Sequence, residues 1–178
     1  MALAAALATM LWAVTYPGFA SVPMLIALLG MLVLGSIWLV RLIGWVIDRD
    51  RRDAWRWCAA PLMVVLTGVL VVTDVPLRVR FELARDDFDR VVEDLPARGS
   101  FDAWAPLSVP DSVGGYEIVR AYQVGEMVIL YEGEGLAFHD AGFAYLPSGP
   151  DDRLGNGSFE APRFQSLGGR WYAWRASW

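Results

Sequence analysis

The residues best suited to acid–base or metal chemistry lie within nine positions of the second half of the chain. His139 is the single histidine, so any imidazole chemistry must pass through it, and Asp140 follows it directly. Glu132 and Glu134 lie just upstream, each followed by a glycine. If this segment folds back on itself, the four side chains could form a cation site or an acid–base pair. Against this, neighbouring residues on a strand point to opposite faces, and a loop histidine bonded to the backbone is the alternative.

Aromatic residues concentrate in the last eight positions, where Trp171, Tyr172, Trp174 and Trp178 occur together. In an extended strand, Tyr172, Trp174 and Trp178 share one face because side chains alternate. Three interpretations follow from this pattern. The residues could pack in the core of a small sheet, or stack on a sugar or peptidoglycan from an exposed sheet face. They could also touch the outer membrane surface, a zone that Trp and Tyr favour.

Other catalytic or cofactor motifs are absent from the sequence. It has no Gly-x-Ser-x-Gly turn, no phosphate-binding glycine loop and no paired metal-binding histidines. Cys58 is the only thiol, so no intramolecular disulfide can form. Residues 152–163 resemble a calcium loop in part, but Leu154 and Arg163 occupy positions that require oxygen ligands. The sequence therefore predicts no cofactor and no metal ion.

Charge is distributed unevenly along the 178 residues, of which 56% are hydrophobic and 20% charged. The first 40 residues carry no charge, and the first charged residue is Arg41. Residues 74–178 contain ten arginines and seventeen acidic residues, a net charge of −7. This distribution excludes a wholly soluble globular protein and a disordered chain. The acidic second part also argues against nucleic acid as a partner, because phosphate binding needs clustered basic residues.

Three apolar stretches predict a membrane region over residues 1–77, with spans at about 1–16, 22–47 and 57–77. A helix needs about 20 apolar residues to cross the bilayer core. The second and third stretches meet this length, whereas the first has three interpretations. Alanines at small-xxx-small spacing favour a helix packed in lipid. A cleaved signal peptide and an interfacial helix are the alternatives, although the stretch lacks the positive start of a signal peptide.

The arginines orient the predicted spans. Five arginines lie between the second and third spans or at their ends: Arg41, Arg49, Arg51, Arg52 and Arg56. The positive-inside rule places this connection in the cytoplasm, and therefore residues 78–178 outside the cell. Four further arginines lie within residues 78–90, on the other side of the third span, so the cytoplasmic assignment depends on an excess of one arginine.

Residues 78–178 predict an extracytoplasmic α+β domain. An amphipathic helix is predicted over residues 78–95, because apolar residues recur every three or four positions. These are Phe81, Ala84, Phe88, Val91 and Leu95. About five short antiparallel strands follow, at residues 116–122, 127–132, 136–146, 163–167 and 170–177. Gly168-Gly169 is the strongest hairpin signal in the chain.

Three motifs carry a resemblance to known proteins. They are Asp74-Val75-Pro76-Leu77-Arg78 leading into Arg80-Phe81, Ala141-Gly142-Phe143-Ala144-Tyr145-Leu146-Pro147, and Leu167-Gly168-Gly169-Arg170-Trp171-Tyr172. With these motifs the chain resembles a group of small integral membrane proteins of high-GC actinobacteria to which no activity is assigned. The resemblance covers mainly residues 60–178. It implies the membrane-anchored architecture and carries over no functional residues.

Together these patterns predict a membrane α-helical anchor of two to three transmembrane helices, followed by a small α+β domain with one helix and about five antiparallel strands. The favoured function is a non-enzymatic envelope protein whose outer domain binds a partner protein or a wall component. One alternative is a membrane-tethered enzyme that uses His139 and the nearby carboxylates. The other is an accessory subunit whose helices join a larger membrane complex. In each case the lipid bilayer is a partner.

Overall fold

Four helices precede an antiparallel sheet in the computed structural model of the protein, which describes residues 2–18, 21–48, 54–95, 104–133, 139–150, 154 and 162–177. The helices are α1 (Ala2–Ala13), α2 (Ser21–Asp48), α3 (Ala54–Val72) and α4 (Val75–Glu93). The strands are β1 (Ala105–Pro106), β2 (Ser112–Val113), β3 (Tyr116–Val124), β4 (Met127–Glu132), β5 (His139–Tyr145), β6 (Arg163–Gly168) and β7 (Trp171–Ser177).

Helix α2 contains the one described segment, Val22–Trp45, that is by itself long and apolar enough to cross a membrane. Helices α3 and α4 pass the same test only as a bent pair, Ala59–Val72 and Val75–Glu93, with an angle of 55° between them. The described residues therefore offer one candidate span, or two if the bent pair counts as one. Helix α1 has 12 residues, and its length of about 18 Å is less than the thickness of the bilayer core.

The apolar helices differ from the predicted spans at their ends. The third predicted span continues to residue 77, but α3 ends at Val72 and α4 begins at Val75. Asp74 between them has a left-handed backbone with φ of 52° and makes no capping hydrogen bond with its side chain. Helices α1 and α2 pack closely, since a Cβ at Gly30 would lie 3.7 Å from that of Ala6. Small residues thus permit the close approach that the alanine spacing indicated.

The strands form an antiparallel sheet in the order β1-β3-β4-β5-β7-β6, and β2 pairs with β3 outside this path. The five long strands correspond to the five predicted runs. β5 is described from His139 onwards, and residues 136–138 of the predicted run lie outside the described residues. β1 and β2 have two residues each, too few to show an alternating pattern in the sequence. β7 lies between β5 and β6, so the last strand of the chain occupies an interior position.

Helix α4 covers one face of the sheet with the apolar side that the sequence predicted. Phe81 and Phe88 are fully buried, and the ring of Phe88 lies 4.8 Å from that of Phe143 and 5.3 Å from that of Trp171. Close offset or edge-on ring pairs of this kind add to the stabilisation from buried area. Ala13 at the end of α1 and Tyr16 in the turn after it also join this core.

The opposite face of the sheet buries a second cluster. Ile129, Tyr131, Trp174 and Leu146 belong to it, together with Leu154 from the segment between β5 and β6. Every residue of β4 is consequently buried, because each of its two faces lies under a hydrophobic cluster. Strand β4 is the centre of the domain.

The close approach of β4 and β5 predicts a strict requirement for glycine at position 142. A Cβ at Gly142 would overlap the carbonyl oxygen of Leu130 on the neighbouring strand. We expect Gly142→Ala to destabilise the protein by about 3 kcal/mol, at the upper end of the usual cost of overpacking. The apparent Tm in detergent should fall by roughly 6–12 °C. Gly68→Ala is the control, because a Cβ at Gly68 would meet no atom within 4 Å. Equal Tm values for the two variants would contradict this packing.

Candidate functional site

The two described carboxylates of the predicted acid–base cluster lie on opposite faces of the sheet. Asp140 forms an ion pair of 3.3 Å with Arg120, whose guanidinium lies 4.5 Å from the ring of Tyr131. Glu132 follows Tyr131 on β4, so it points to the other face, where it is only 5% exposed. The sheet therefore separates the carboxylates of Glu132 and Asp140, and they cannot act on one substrate atom.

The other two members of that cluster lie partly or wholly outside the described residues. Glu134 is among the residues that the structure does not describe, and of His139 only the backbone is described, paired with Ser177. No group of three or more His, Cys, Asp or Glu side chains placed to hold a metal ion occurs within the described ranges. The role of His139 in acid–base chemistry stays a prediction.

On the Asp140 face, Tyr131 is the titratable group with the most perturbed environment. Burial raises the pKa of its phenol to about 12, with Asp140 adding to the rise and Arg120 opposing it. The phenol is therefore neutral at physiological pH. It serves as a packing residue under the partly exposed ion pair, and its ring lies 4.7 Å from that of Trp174.

Trp171 and Trp174, two of the aromatic residues in the last eight positions, belong to the hydrophobic clusters on opposite faces of the sheet. Trp171 faces α4 and donates a hydrogen bond of 2.8 Å from its indole nitrogen to Asp89. Trp174 faces the other way and donates to the carbonyl oxygens of Leu130 and Phe143, each at 3.2 Å. Both indoles are fully buried, so neither can stack on an external sugar. Core packing, the first of the interpretations drawn from the sequence, describes both residues.

The remaining two tail residues carry less information. Tyr172 is half-buried on the Trp174 face, and Trp178 lies outside the described residues. A binding surface built from all four aromatic residues therefore does not exist in this arrangement, because alternation along β7 and the double-sided core bury its two described indoles.

Helix α4 uses its charged residues differently from a freely solvated face. Arg85 donates to Glu82 at 2.6 Å and also to the carbonyl oxygens of Leu167 and Gly168, at 3.2 and 3.3 Å. It thereby ties α4 to the β6–β7 turn. The Asp89 carboxylate, four residues further along the helix, accepts the indole N–H of Trp171.

A polar cluster missed by the sequence analysis joins the domain to the turn after α1. The guanidinium of Arg80 lies between two rings, 4.2 Å from that of Tyr16 and 4.1 Å from that of Tyr116. It also donates to the Thr15 hydroxyl and to the Gly115 carbonyl, both at 2.8 Å. Cation–π contacts of this kind are stronger when the cation is shielded from water. One side chain of α4 thus holds the α1 turn and β3 together.

A second arginine reinforces the same contact from the sheet. Arg175 of β7 donates to the carbonyl oxygen of Pro17 and lies 3.9 Å from the Asp74 carboxylate. Burial lowers the pKa of Arg175, and the neighbouring Asp74 acts in the opposite direction. The Tyr116 hydroxyl donates to the Thr15 carbonyl at 3.1 Å, and burial raises the pKa of this phenol. We refer to Thr15, Tyr16, Pro17, Asp74, Arg80, Tyr116 and Arg175 as the junction.

A groove of about 480 Å³ opens between the C-terminal half of α4 and residues 107–114. Its rim carries Asp87, Arg90 and Asp94, and the first two form an ion pair of 2.7 Å. Serine hydroxyls of Ser108 and Ser112 also reach it. Its apolar lining consists of Val91, Leu95, Leu107, Val109, Pro110 and Val113, with Gly114 beside them. We refer to this opening as the α4 groove.

A second cavity, of about 420 Å³, lies among the apolar helices near the start of α1. Leu3 of α1 borders it, Gly35 and Trp38 line it from α2, and Pro61 lines it from α3. Arg41 is the one charged residue in its lining.

Comparisons with protein-family models, with curated proteins and with solved structures found no match to this chain. Function is therefore inferred from the features described above. Three of them are relevant: the apolar helices, the junction that fixes the domain to them, and the α4 groove.

The junction predicts an unusual sensitivity of the protein to loss of Arg80. Arg80→Ala removes two charge-assisted hydrogen bonds and two cation–π contacts, and we expect a loss of about 2–4 kcal/mol. The apparent Tm in detergent should fall, and hydrogen exchange at Thr15 and Tyr16 should accelerate. Arg80→Lys keeps the charge but not the planar fork, so it should lie in between.

The matched control for that variant is Arg78→Ala, which removes an exposed arginine two residues earlier on the same helix. We expect it to change the Tm little, as surface substitutions usually do. If the Arg78 and Arg80 variants unfolded at the same temperature, the junction would not hold α1 against the domain.

Proposed function

We propose that the chain is an integral membrane protein that crosses the bilayer with α2 and α3 and carries its α+β domain outside. The support is the apolar surface of these helices: Leu32, Val40 and Leu62 are each about 70% exposed. Surface of this kind is unfavourable in water by about 25 cal/mol per Å², and lipid removes that cost. The 19 residues of α3 extend over about 28 Å, close to the thickness of the bilayer core.

One feature favours an outside location of the domain, and another favours α1 as an uncleaved helix. α2 begins and α3 ends beside the domain, since Met24 packs on the core that faces α4 and Asp74 belongs to the junction. The other ends of these helices, at Asp48 and Ala54, flank the arginine-rich connection and thus lie away from the domain. The positive-inside rule assigns that side to the cytoplasm. Tyr16 and Ala13 are part of the domain core, which favours α1 as a lasting part of the fold over a cleaved signal peptide.

For the domain itself we infer a non-enzymatic role, the binding of a partner protein or a wall component of the envelope. The observation that carries this proposal is the α4 groove, which combines an apolar lining with carboxylates and hydroxyls at its rim. Concave sites with an apolar lining and a few polar groups are the usual places for ligands. Because Arg90 is paired with Asp87, Asp94 is the carboxylate most available to a positively charged or hydroxyl-bearing group.

A second candidate function is that of an accessory subunit in a larger membrane complex. The cavity beside α1 favours it, because its apolar lining lies at the level of the apolar helices and includes Gly35. A Cβ at Gly35 would meet no atom within 4 Å. A small residue facing open space permits a further transmembrane helix to approach closely.

Membrane topology gives the first test. An alkaline phosphatase fusion at Trp178 should be active, because the enzyme matures only outside the cytoplasm, and a green fluorescent protein fusion there should be dark. The same two reporters inserted after Asp50 should give the opposite result. An inactive phosphatase at Trp178 in a well-expressed fusion would contradict the outside orientation.

Site-specific photocrosslinking in intact cells tests the binding role. A benzoylphenylalanine at Val109 or Ser112, which line the α4 groove, should give a discrete adduct with an envelope component. The control is Ser166, exposed on β6 and remote from the groove. Adducts from all three positions, or from none, would contradict the groove as the binding site. Benzoylphenylalanine is also placed at Gly35. An adduct with another membrane protein from this position, without adducts from Val109 and Ser112, would favour the accessory subunit instead.

A further inference from the structure

Helix α4 has a second apolar stripe that its own domain does not use. Val75, Val79 and Leu83 follow one another at intervals of four residues and therefore lie on one side of the helix. Val79 is 54% exposed and Leu83 is 85% exposed. The value for Leu83 is the highest among the large apolar residues that the structure describes. The buried side of the helix, with Phe81 and Phe88, already covers the sheet. The stripe therefore needs a different partner.

The stripe is continuous with the apolar surface of the other helices. Val72 at the end of α3 is 81% exposed and lies three residues before Val75, the first residue of the stripe. A groove of about 380 Å³ connects the stripe to Leu70 of α3 and to Trp12 of α1. The polar residues in the lining of this groove are Thr15 and Arg80, which are hydrogen-bonded to each other, and beside them the apolar surface of α3 continues onto α4.

The stripe ends abruptly at Leu83. The next positions on that side of the helix are Asp86 and Asp87, and Asp87 is ion-paired with Arg90. The change from aliphatic residues to carboxylates within one turn is typical of a helix that leaves an apolar phase at that point.

We propose that this stripe contacts the acyl chains of the leaflet on the domain side, so that the first turns of α4 form an interfacial segment. The inference rests on the proposal that α3 crosses the bilayer. The bend between α3 and α4 is 55°. The helix from Val75 to Leu83 is about 12 Å long. If α3 lies along the bilayer normal, this part of α4 advances about 7 Å along that normal, away from the bilayer centre. That rise matches the interfacial zone, which is about 5–8 Å thick on each side.

The aromatic residue in the same groove fits this assignment. Trp12 is 49% exposed and lies where α1 approaches the domain, and tryptophan favours the boundary between hydrocarbon and headgroups. The continuity with α3 favours lipid over a second copy of the chain, because a protein partner would need to cover the stripe separately from the lipid that covers α3.

Depth-dependent fluorescence quenching in proteoliposomes tests the assignment. Cys58→Ser removes the only thiol, and single cysteines are then placed at Val79, Leu83, Asp86 and Leu32 and labelled with an environment-sensitive fluorophore. Asp86 is the control on α4 beyond the stripe, and Leu32 is the control within α2. Quenching by iodide reports exposure to water, and quenching by a lipid with a spin label at carbon 5 reports contact with the upper acyl chains.

We expect labels at positions 79 and 83 to be quenched by the spin-labelled lipid and to be at least about threefold less accessible to iodide than the label at position 86. Iodide quenching at position 83 equal to that at position 86, with position 32 shielded by lipid, would overturn this inference and leave the membrane-spanning proposal intact. Iodide access at position 32 would instead refute that underlying proposal. Protection of position 83 from both quenchers would also overturn the inference, in favour of a second copy or another protein.

Discussion

The contact of Arg80 with Tyr16 and Tyr116 is the interaction on which the arrangement of the whole chain depends. Arginine remains charged at every accessible pH, so its partial burial must be compensated. Two aromatic rings and two oxygen acceptors provide that compensation. Its partners come from the turn after α1 and from β3, whereas Arg80 itself lies on α4. Removal of this side chain would leave the turn after α1 held to the domain by Arg175, by the Tyr116–Thr15 hydrogen bond and by the packing of Ala13 and Tyr16.

The domain is organised around a sheet with a hydrophobic cluster on each face. β4 is buried on both sides, and β7 contributes Trp171 to one cluster and Trp174 to the other. Core packing was one of the three interpretations that the sequence allowed for these aromatic residues, and Trp171 and Trp174 are the means by which a domain of about 100 residues obtains two cores. Each indole N–H has an acceptor, which avoids the cost of a buried unpaired donor.

Local patterns in the sequence predicted the local structure well. The spacing of Phe81, Ala84 and Phe88 identified α4 and its buried face, and alternation identified the five long strands, including the turn at Gly168. Contacts between distant residues were not predictable. The pairs Arg80–Thr15 and Tyr116–Thr15 join positions 65 and 101 apart, and no local pattern marks them. The separation of Glu132 from Asp140 likewise depends on strand register, which the glycine-rich segment between them did not reveal.

The interior position of β7 has a consequence for how the chain is made. β7 follows the other described strands in the sequence, yet it lies between β5 and β6, and its Arg175 closes the junction on Pro17, which lies 158 residues earlier. Neither core can be completed before β7 has been synthesised, although domains generally fold from the N-terminus during synthesis. Until β7 is made, β5 therefore lacks its neighbour on one side, although the apolar helices that precede the sheet have already been synthesised. Such a protein depends on protection of its exposed strand edges during biogenesis.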